Sequence, residues 1–288
     1  MKNHRSHVGR TRLILILLCI VLAAMLWCAL SLVLKIGTYS SRTVGDDKPA
    51  EEVPVEPADL EPTVAENSYD PAGFYEEGGF KRYKSADTIA SVGVDVSSHQ
   101  QDIDWQRVAA SGVQFAILRA GYRGYTEGSI QEDAYFEQNL AGAIDAGLDV
   151  GVYFFSQAMD EQEAREEARF VLDKISGYQL AYPVFFDWEK IGADARSDAM
   201  DLTSLTTVTD TFCSEIEAAG YQAGLYFNQQ LGYEELHLPS LQGYTFWLAE
   251  YNDTPSFTYD FDLWQYASDG SVDGIDGDVD LNLAFIGK

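Results

Sequence analysis

Short apolar runs alternate with amphipathic segments from Val92 to the end of the chain, and this alternation predicts the fold. Apolar residues recur at helical spacing in four segments, each ending at a glycine where a left-handed C-cap is expected: Gly112, Gly147, Gly177 and Gly220. Five short runs rich in apolar or aromatic residues lie before, between and after these helices. They are typical of buried parallel strands and cover residues 93–97, 115–122, 150–156, 183–189 and 223–228.

The pattern changes after Asn228. Three further strand-like runs, at 245–251, 261–267 and 279–285, follow at intervals too short for full crossover helices. Five strands with helical connections and then three strands with little helix predict an α/β fold, an incomplete TIM-like (β/α)5(β)3 barrel. In such barrels the chemistry gathers at the carboxyl ends of the strands.

The first 35 residues are predicted to anchor the protein in a membrane. Leu13 to Leu34 carries no charge and is long enough as a helix to cross a bilayer core. Basic residues precede it, so the positive-inside bias places residues 1–12 in the cytoplasm as a basic tail. We expect 13–35 to be an uncleaved signal anchor of a single-pass plasma-membrane protein whose remainder lies outside a Gram-positive-type bacterium. The alternative is a signal peptide that is removed.

Residues 36–87 predict an extended extracellular stalk, and residues 88–288 a folded domain that follows it. Five of the eight prolines lie in the stalk among many acidic residues: Pro49, Pro54, Pro57, Pro62 and Pro71. Its last part, from Tyr69 to Tyr83, gains aromatic rings, and these suggest that it docks onto the domain that follows.

Charge and cysteine content narrow the class of protein. The chain carries 46 acidic and 19 basic residues, a net charge of −27, which excludes a polyanion such as nucleic acid as a partner. Cys213 is the only cysteine beyond the apolar segment, so no intramolecular disulfide can form in the exported part. We expect Cys213 to be a packing residue and the domain to be stabilised by its core.

Two carboxylates end the fourth strand of the predicted barrel. Asp187 and Glu189 are separated by one residue, so their side chains point to the same side with Cα atoms about 6.5 Å apart. An acid pair of this kind suits glycosidic hydrolysis, in which one carboxylic acid protonates the leaving oxygen and a second carboxylate faces the developing cation. If the barrel closes, Asp95 in the first strand and Asp280 in the last approach the same mouth.

Several ordered motifs span nearly all of 92–287: Gly93 to Gln100, Asp102 to Trp105, Asp187-Trp188-Glu189, Trp264-Gln265-Tyr266 and Gly274 to Asn282. Together they resemble family 25 glycoside hydrolases, which are lysozymes found in bacteria, phages and fungi. By this resemblance residues 88–288 are the catalytic domain. The resemblance implies an eight-stranded barrel with few helices in its last part. It also implies cleavage of the β-1,4 bond between N-acetylmuramic acid and N-acetylglucosamine in peptidoglycan.

By this resemblance Glu189 is the general acid and base. Asp187 stabilises the cation or orients the 2-acetamido group, and Asp95 and Asp280 complete the acidic site. Whether Asp187 or the acetamido group of the substrate attacks the sugar stays open.

Other residues near strand ends are candidates for substrate contacts. Tyr153, Tyr226 and Trp247 are possible stacking platforms for sugar rings, with core packing as the competing interpretation. Gln265 joins the predicted substrate-binding set. Arg119, near the end of the second strand, is expected to pair either with an active-site carboxylate or with a surface acid.

No metal site or cofactor is expected. His99 has no partner at a ligand spacing, so a structural role is favoured, and the aspartates from Asp273 to Asp280 lack the EF-hand pattern. Two alternatives to the muramidase remain: a membrane-tethered glycan-binding module without turnover, and a chitin-type hexosaminidase. The expected partners are peptidoglycan strands and, through Leu13 to Leu34, the plasma membrane, with the protein as a monomer.

Overall fold

The computed structural model describes residues 63–192 and 195–285. Eleven strands occur in this part of the chain: β1 Phe74–Glu77, β2 Phe80–Tyr83, β3 Ser91–Val96, β4 Phe115–Arg123, β5 Ile130–Glu132, β6 Asp149–Ser156, β7 Val184–Trp188, β8 Ala223–Asn228, β9 Thr245–Ala249, β10 Leu263–Gly270 and β11 Val279–Ala284. The α-helices are α1 Trp105–Ala110, α2 Phe136–Asp145, α3 Glu161–Lys174, α4 Leu202–Ala218 and α5 Leu238–Leu241. Short 3-10 turns occupy Pro71–Gly73 and Ser98–Gln100, and a π-helical turn occupies Leu231–Glu235.

Eight of these strands close into a barrel, in the order β3-β4-β6-β7-β8-β9-β10-β11 and back to β3. Neighbouring strands from β3 to β10 are parallel, whereas β11 is antiparallel to both β10 and β3. The predicted incomplete TIM-like barrel is therefore confirmed. Because β11 runs in the opposite direction, its first residues lie beside the carboxyl ends of the other strands.

Alternation along the strands divides the core into two layers. In β7, Val184, Phe186 and Trp188 pack in the large cluster outside the barrel, whereas Phe185 packs inside it with Phe115 and other rings. Side chains two residues apart on a strand share a face. Asp187 consequently points inward with Phe185, and the predicted packing role of Trp188 in the helical layer agrees with its burial there.

Glycines end the four longer helical segments, as predicted. Gly112, Gly147, Gly177 and Gly220 all have positive φ, between 80° and 103°. L-residues with a Cβ rarely adopt this conformation, so each glycine terminates its helix and turns the chain toward the next strand.

The strand-rich side of the barrel is covered by residues that precede the barrel. Tyr69 stacks on Phe285 with ring centroids 4.1 Å apart and donates a hydrogen bond to the Phe261 carbonyl at 2.8 Å. Phe74, in the β1–β2 hairpin, contacts the outward-facing Trp264 edge-on at 5.4 Å. The aromatic end of the predicted stalk thus docks onto β10 and β11, where crossover helices are missing.

No helix among residues 63–192 and 195–285 is long and apolar enough to cross a membrane. The predicted span at 13–34 lies outside the described residues, as does most of the predicted stalk.

Candidate active site

A cavity of about 230 Å³ opens at the carboxyl ends of the parallel strands. All nine predicted site residues line it, together with Phe155 and Tyr251: Asp95, Arg119, Tyr153, Asp187, Glu189, Tyr226, Trp247, Gln265 and Asp280. The side chains come from all eight barrel strands, from Glu189 directly after β7 and from Tyr251 two residues after β9. The closed barrel is what brings positions as distant in sequence as 95 and 280 together.

A larger recess of about 660 Å³ lies elsewhere, between the start of α1 and residues 271–276. Its aspartates include Asp273, which is ion-paired with Arg107. None of the predicted site residues lines this recess. Within the described parts of the chain, no three potential metal ligands are grouped closely enough to hold an ion.

The acid pair of β7 has few partners. Asp187 is only 6 % exposed, yet its Oδ1 atom has no hydrogen-bond partner among the described residues. Glu189 is the first residue after the strand, and its backbone carbonyl accepts a hydrogen bond from Gln157 Nε2 at 3.2 Å. Gln157 is itself held by Ser197, whose Oγ donates to Gln157 Oε1 at 2.6 Å. The backbone is anchored while the carboxyl groups face the cavity.

The second acid pair, Asp95 and Asp280, is held by protein groups. The two residues are direct cross-strand partners on β3 and β11, and their carboxyl groups hydrogen-bond to each other. Asp95 Oδ2 also accepts hydrogen bonds from Gln265 Nε2 at 2.9 Å and from Asn282 Nδ2 at 2.7 Å. Two like charges directly opposite each other would be destabilising, so this pair favours sharing a proton.

The side-chain amides of Gln265 and Asn282, which donate to Asp95, are held in one orientation by further hydrogen bonds. Tyr226 and Tyr251 donate their hydroxyl protons to Gln265 Oε1, at 3.0 and 2.7 Å. Trp247 donates its indole N–H to Asn282 Oδ1 at 2.9 Å. Gln265 and Asn282 are buried, and the oxygen and the nitrogen of each amide both have hydrogen-bond partners, as buried polar groups require.

Arg119 is the only cation among the described residues that line the cavity, and it is paired with Asp133. Its Nε donates to Asp133 Oδ2 at 2.8 Å, and its Nη2 donates to Ser98 Oγ at 3.1 Å. Asp133 is buried just beyond β5 and also accepts the backbone N–H of Ser98 at 2.9 Å. The partner of Arg119 is therefore a buried acid outside the cavity lining, and neither of the two partners that the sequence suggested.

Burial raises the pKa of all four acids in the cavity. Desolvation is the main cause for Asp187, whose pKa lies well above its usual range, and the negative charges of Glu189 and Asp95 add to it. Burial, and then the charge of Asp95, raises the pKa of Glu189. The pKa of Asp95 rises only to about 6 because hydrogen bonds from Asn282 and Gln265 oppose the effect of burial. For Asp280, burial and the neighbouring Asp95 raise the pKa to about 9.

The three aromatic candidates differ in accessibility. Tyr153 and Tyr226 are partly exposed to the cavity, and Trp247 is 1 % exposed, with Tyr226 against its ring at 4.9 Å. Trp247 also packs against Phe185 in the interior of the barrel at 5.0 Å. Its ring faces and its N–H are thus largely committed to protein contacts, which favours a positioning role over sugar stacking.

Sequence reasoning missed Tyr251, Phe155, Asn282 and Asp133. A signal for Asn282 existed, because it lies two residues after Asp280 on one strand and therefore shares its face. Phe155 and Tyr251 lie close to strand ends, as do the aromatic residues that were chosen. Asp133 had no such signal, since it follows a short antiparallel strand that the hydrophobic pattern did not predict.

Two lysozymes are similar to this chain in sequence. Lysozyme M1 from Streptomyces globisporus is 27% identical over 214 residues, covering 68% of this chain and 68% of that protein. The autolytic lysozyme of Clostridium acetobutylicum is 26% identical over 191 residues, covering 66% of this chain and 54% of the relative.

Solved structures agree with the fold. The modular autolysin LytC from Streptococcus pneumoniae, in complex with a synthetic peptidoglycan ligand, superposes with a TM-score of 0.63 at 25% identity. The match covers 74% of this chain and about half, 52%, of LytC. A family 25 glycosyl hydrolase from Bacillus anthracis superposes with a TM-score of 0.59 at 23% identity, covering 72% of this chain and 93% of that one.

The family model for glycosyl hydrolases family 25 matches residues 94–275, which include the acid pair of β7, Asp95, and all the other predicted cavity residues except Asp280. Lysozyme relatives and a shared barrel support the same assignment. The chain belongs to glycosyl hydrolases family 25 and is a glycoside hydrolase of the lysozyme type.

Proposed function

We propose that this protein is a peptidoglycan hydrolase that cleaves the β-1,4 bond between N-acetylmuramic acid and N-acetylglucosamine. Glu189 is the general acid and base of this proposal. Asp187 stabilises the developing cation or orients the 2-acetamido group of the substrate. Asp95 and Asp280 complete the acidic site.

One observation carries the proposal more than any other: the buried Oδ1 atom of Asp187 lacks a hydrogen-bond partner among the described residues. A buried polar oxygen without a partner is costly, and a substrate N–H or a developing positive charge would satisfy it. Glu189, two residues along the chain, lines the same cavity. An N-acetylated sugar with a scissile oxygen offers the groups that these two carboxyls can use.

The raised pKa of Glu189 supports its role as the acid. A carboxyl group that donates a proton near neutral pH must hold that proton, and burial together with the charge of Asp95 favours the protonated form. After the leaving group departs, the same carboxylate is placed to activate water. The candidate contacts for the sugar line the same cavity: Tyr153, Tyr226, Gln265 and Arg119. Trp247 also lines it and is proposed to position these side chains.

Peptidoglycan as the substrate rests on the relatives. Two of them are lysozymes, and one similar structure holds a synthetic peptidoglycan ligand. The proposed specificity for the bond after N-acetylmuramic acid follows from the same family membership.

The proposal also includes a tether. The uncharged segment from Leu13 to Leu34 and the basic residues before it support a single membrane span with the barrel outside the cell. Such an enzyme would act on the producer's own wall, in remodelling. Membrane fractionation, followed by protease digestion of intact cells, tests this part: we expect a membrane-bound protein whose barrel is accessible from outside.

Product analysis tests the activity. The full chain, purified in detergent micelles, is incubated with peptidoglycan, and the new reducing ends are identified by mass spectrometry. N-acetylmuramic acid ends are expected. N-acetylglucosamine ends would overturn the bond assignment. Cleavage of chitin oligomers but not of peptidoglycan would indicate the hexosaminidase. Binding of peptidoglycan without cleavage would indicate the glycan-binding module.

A further inference from the structure

The proton between Asp95 and Asp280 is located by the hydrogen bonds around it. Trp247 is the starting point, because an indole N–H can only donate. Its bond to Asn282 Oδ1, at 2.9 Å, therefore fixes that atom as the acceptor end of the amide. The opposite end of the amide, the Nδ2 donor, then points at Asp95 Oδ2, which it reaches at 2.7 Å.

Asp95 Oδ2 is thus an acceptor, and a second donor converges on it. Gln265 Nε2 lies 2.9 Å away, and the orientation of that amide is set by the two tyrosine hydroxyls on its Oε1 atom. An oxygen that accepts two amide N–H groups is best suited to the ionised state of a carboxylate. The one proton in the hydrogen bond between the carboxyls then belongs to Asp280.

We propose that Asp280 rests as a neutral carboxylic acid that donates to an ionised Asp95, and that Trp247 and Asn282 are positioning residues that fix this arrangement. The fixed negative charge lies on the aspartate whose field acts on Glu189. Trp247 and Asn282 thereby help to keep the proton on Glu189, without contact between either residue and that carboxyl being required. This catalytic consequence rests on the proposed function, whereas the location of the proton does not.

The other charged or titratable residues that line the cavity with this pair lie on the remaining strands or within two residues of their ends. Asp187 is on β7 and Glu189 directly follows it, and both favour a proton on Asp280 rather than a second negative charge. The positive charge of Arg119, on β4, would favour ionisation of Asp280, but Arg119 is ion-paired with Asp133. The remaining groups are phenols with a raised pKa, which stay uncharged at neutral pH: Tyr153, Tyr226 and Tyr251.

Carbon-13 NMR of the full chain in detergent micelles, labelled at the aspartate carboxyl carbon, tests the location of the proton. The signals that disappear in Asp95→Asn and in Asp280→Asn identify the two carboxyls. In the wild type we expect Asp95 to titrate at about pH 6 and Asp280 at about pH 9. The reverse order, or both carboxyls ionised at neutral pH, would overturn the proposal.

Trp247→Phe tests the positioning role. Without the indole N–H, the amide of Asn282 is free to turn, so the titration midpoint of Asp280 should fall by about one pH unit or more. The alkaline limb of the turnover profile should also move to lower pH, because Asp95 then carries less charge next to Glu189. Asn282→Ala, which removes the same donor from Asp95 and leaves the Trp247 ring, should shift both readouts in the same direction.

The chain offers a matched control, because Trp105 donates its indole N–H to Asn139 Oδ1 in another buried Trp–Asn pair at 3.3 Å, between α1 and α2. Trp105→Phe should leave the titration of Asp280 in place. An equal shift in this control would show that loss of a buried indole, rather than the orientation of Asn282, is the cause. The titrations contain no glycan, so failure of the wild type to cut peptidoglycan would overturn the proposed function and leave the proton assignment standing.

Discussion

The two acid pairs of the cavity differ in what surrounds them. Asp95 receives two amide donors and faces Asp280 across the strands, so its interactions are supplied by the protein. Asp187, on the opposite wall, is equally buried but has an oxygen without a partner. Carboxyl groups already satisfied by protein donors build the site, whereas groups left without partners are available to a substrate. The four acids thus divide into a supporting pair, Asp95 and Asp280, and a reacting pair, Asp187 and Glu189.

Substitution of the proposed acid should have the largest effect. Glu189→Gln keeps the shape of the side chain but cannot transfer a proton, so we expect peptidoglycan turnover to fall by about 10³-fold or more. Glycan binding should persist, and circular dichroism should show an unchanged fold. Glu234→Gln, at an exposed glutamate, is the control and should keep full turnover. An active Glu189→Gln enzyme would remove Glu189 from the reacting pair.

The second member of the reacting pair should follow. Asp187→Asn removes the negative charge that the cation or the acetamido N–H would meet, so we expect kcat to fall by about 10²-fold with little change in KM. Steady-state rates on soluble glycan fragments measure both constants. A variant that loses affinity but retains kcat would indicate that Asp187 binds the ground state only.

The tyrosines that orient Gln265 should have smaller, coupled effects. Tyr226→Phe and Tyr251→Phe each remove one of two hydroxyl donors to the same oxygen, so each alone should lower turnover by about threefold or less. The double variant leaves that buried oxygen without a donor, and we expect about a 30-fold loss, more than the roughly ninefold product of the two single effects. Strictly additive effects in this double-mutant cycle would show that Gln265 is not held in this way.

Stability should decline as the pH rises. Asp280, with a pKa of about 9, and Asp95, with a pKa of about 6, both bind protons more tightly in the folded state than in the unfolded chain. An aspartate whose pKa is raised in the folded state adds fully to the free energy of unfolding when the pH is below its pKa in the unfolded chain, near 4. This contribution is lost as the pH rises through the pKa of the folded state. We expect the free energy of unfolding to decrease by about 1–3 kcal/mol between pH 6 and pH 9, as measured by urea denaturation. Asp280→Asn should flatten this slope.

Much of the barrel is predictable because its strands and helices obey simple local rules. Period-two alternation in β7 places Asp187 on the inner face, and glycines with positive φ end the helices where the spacing predicts. The closure of β11 against β3 is a long-range feature, yet it follows from the count of strands once a barrel is expected. The positions of Asp95 and Asp280 in one cavity could therefore be anticipated.

The details that depend on tertiary contacts could not be anticipated. The aromatic rings at the end of the stalk suggest docking onto the barrel, but only the packing against Phe285 and Trp264 decides that this end covers β10 and β11. The buried partner of Arg119 follows a three-residue strand too short to carry a periodic signal. The direction of each amide in the network likewise depends on donors that lie far away in sequence.

Thermal unfolding of two isosteric variants at pH 8 tests the division into a reacting and a supporting pair most directly. Asp187→Asn removes a buried carboxyl with a raised pKa and without a partner on Oδ1, so its melting temperature should rise above that of the wild type. Asp95→Asn replaces an ionised acceptor of two amide donors with a weaker, neutral amide oxygen and places an N–H donor opposite the acid proton of Asp280, so its melting temperature should fall. Opposite shifts are the predicted result, and shifts in the same direction would contradict the account.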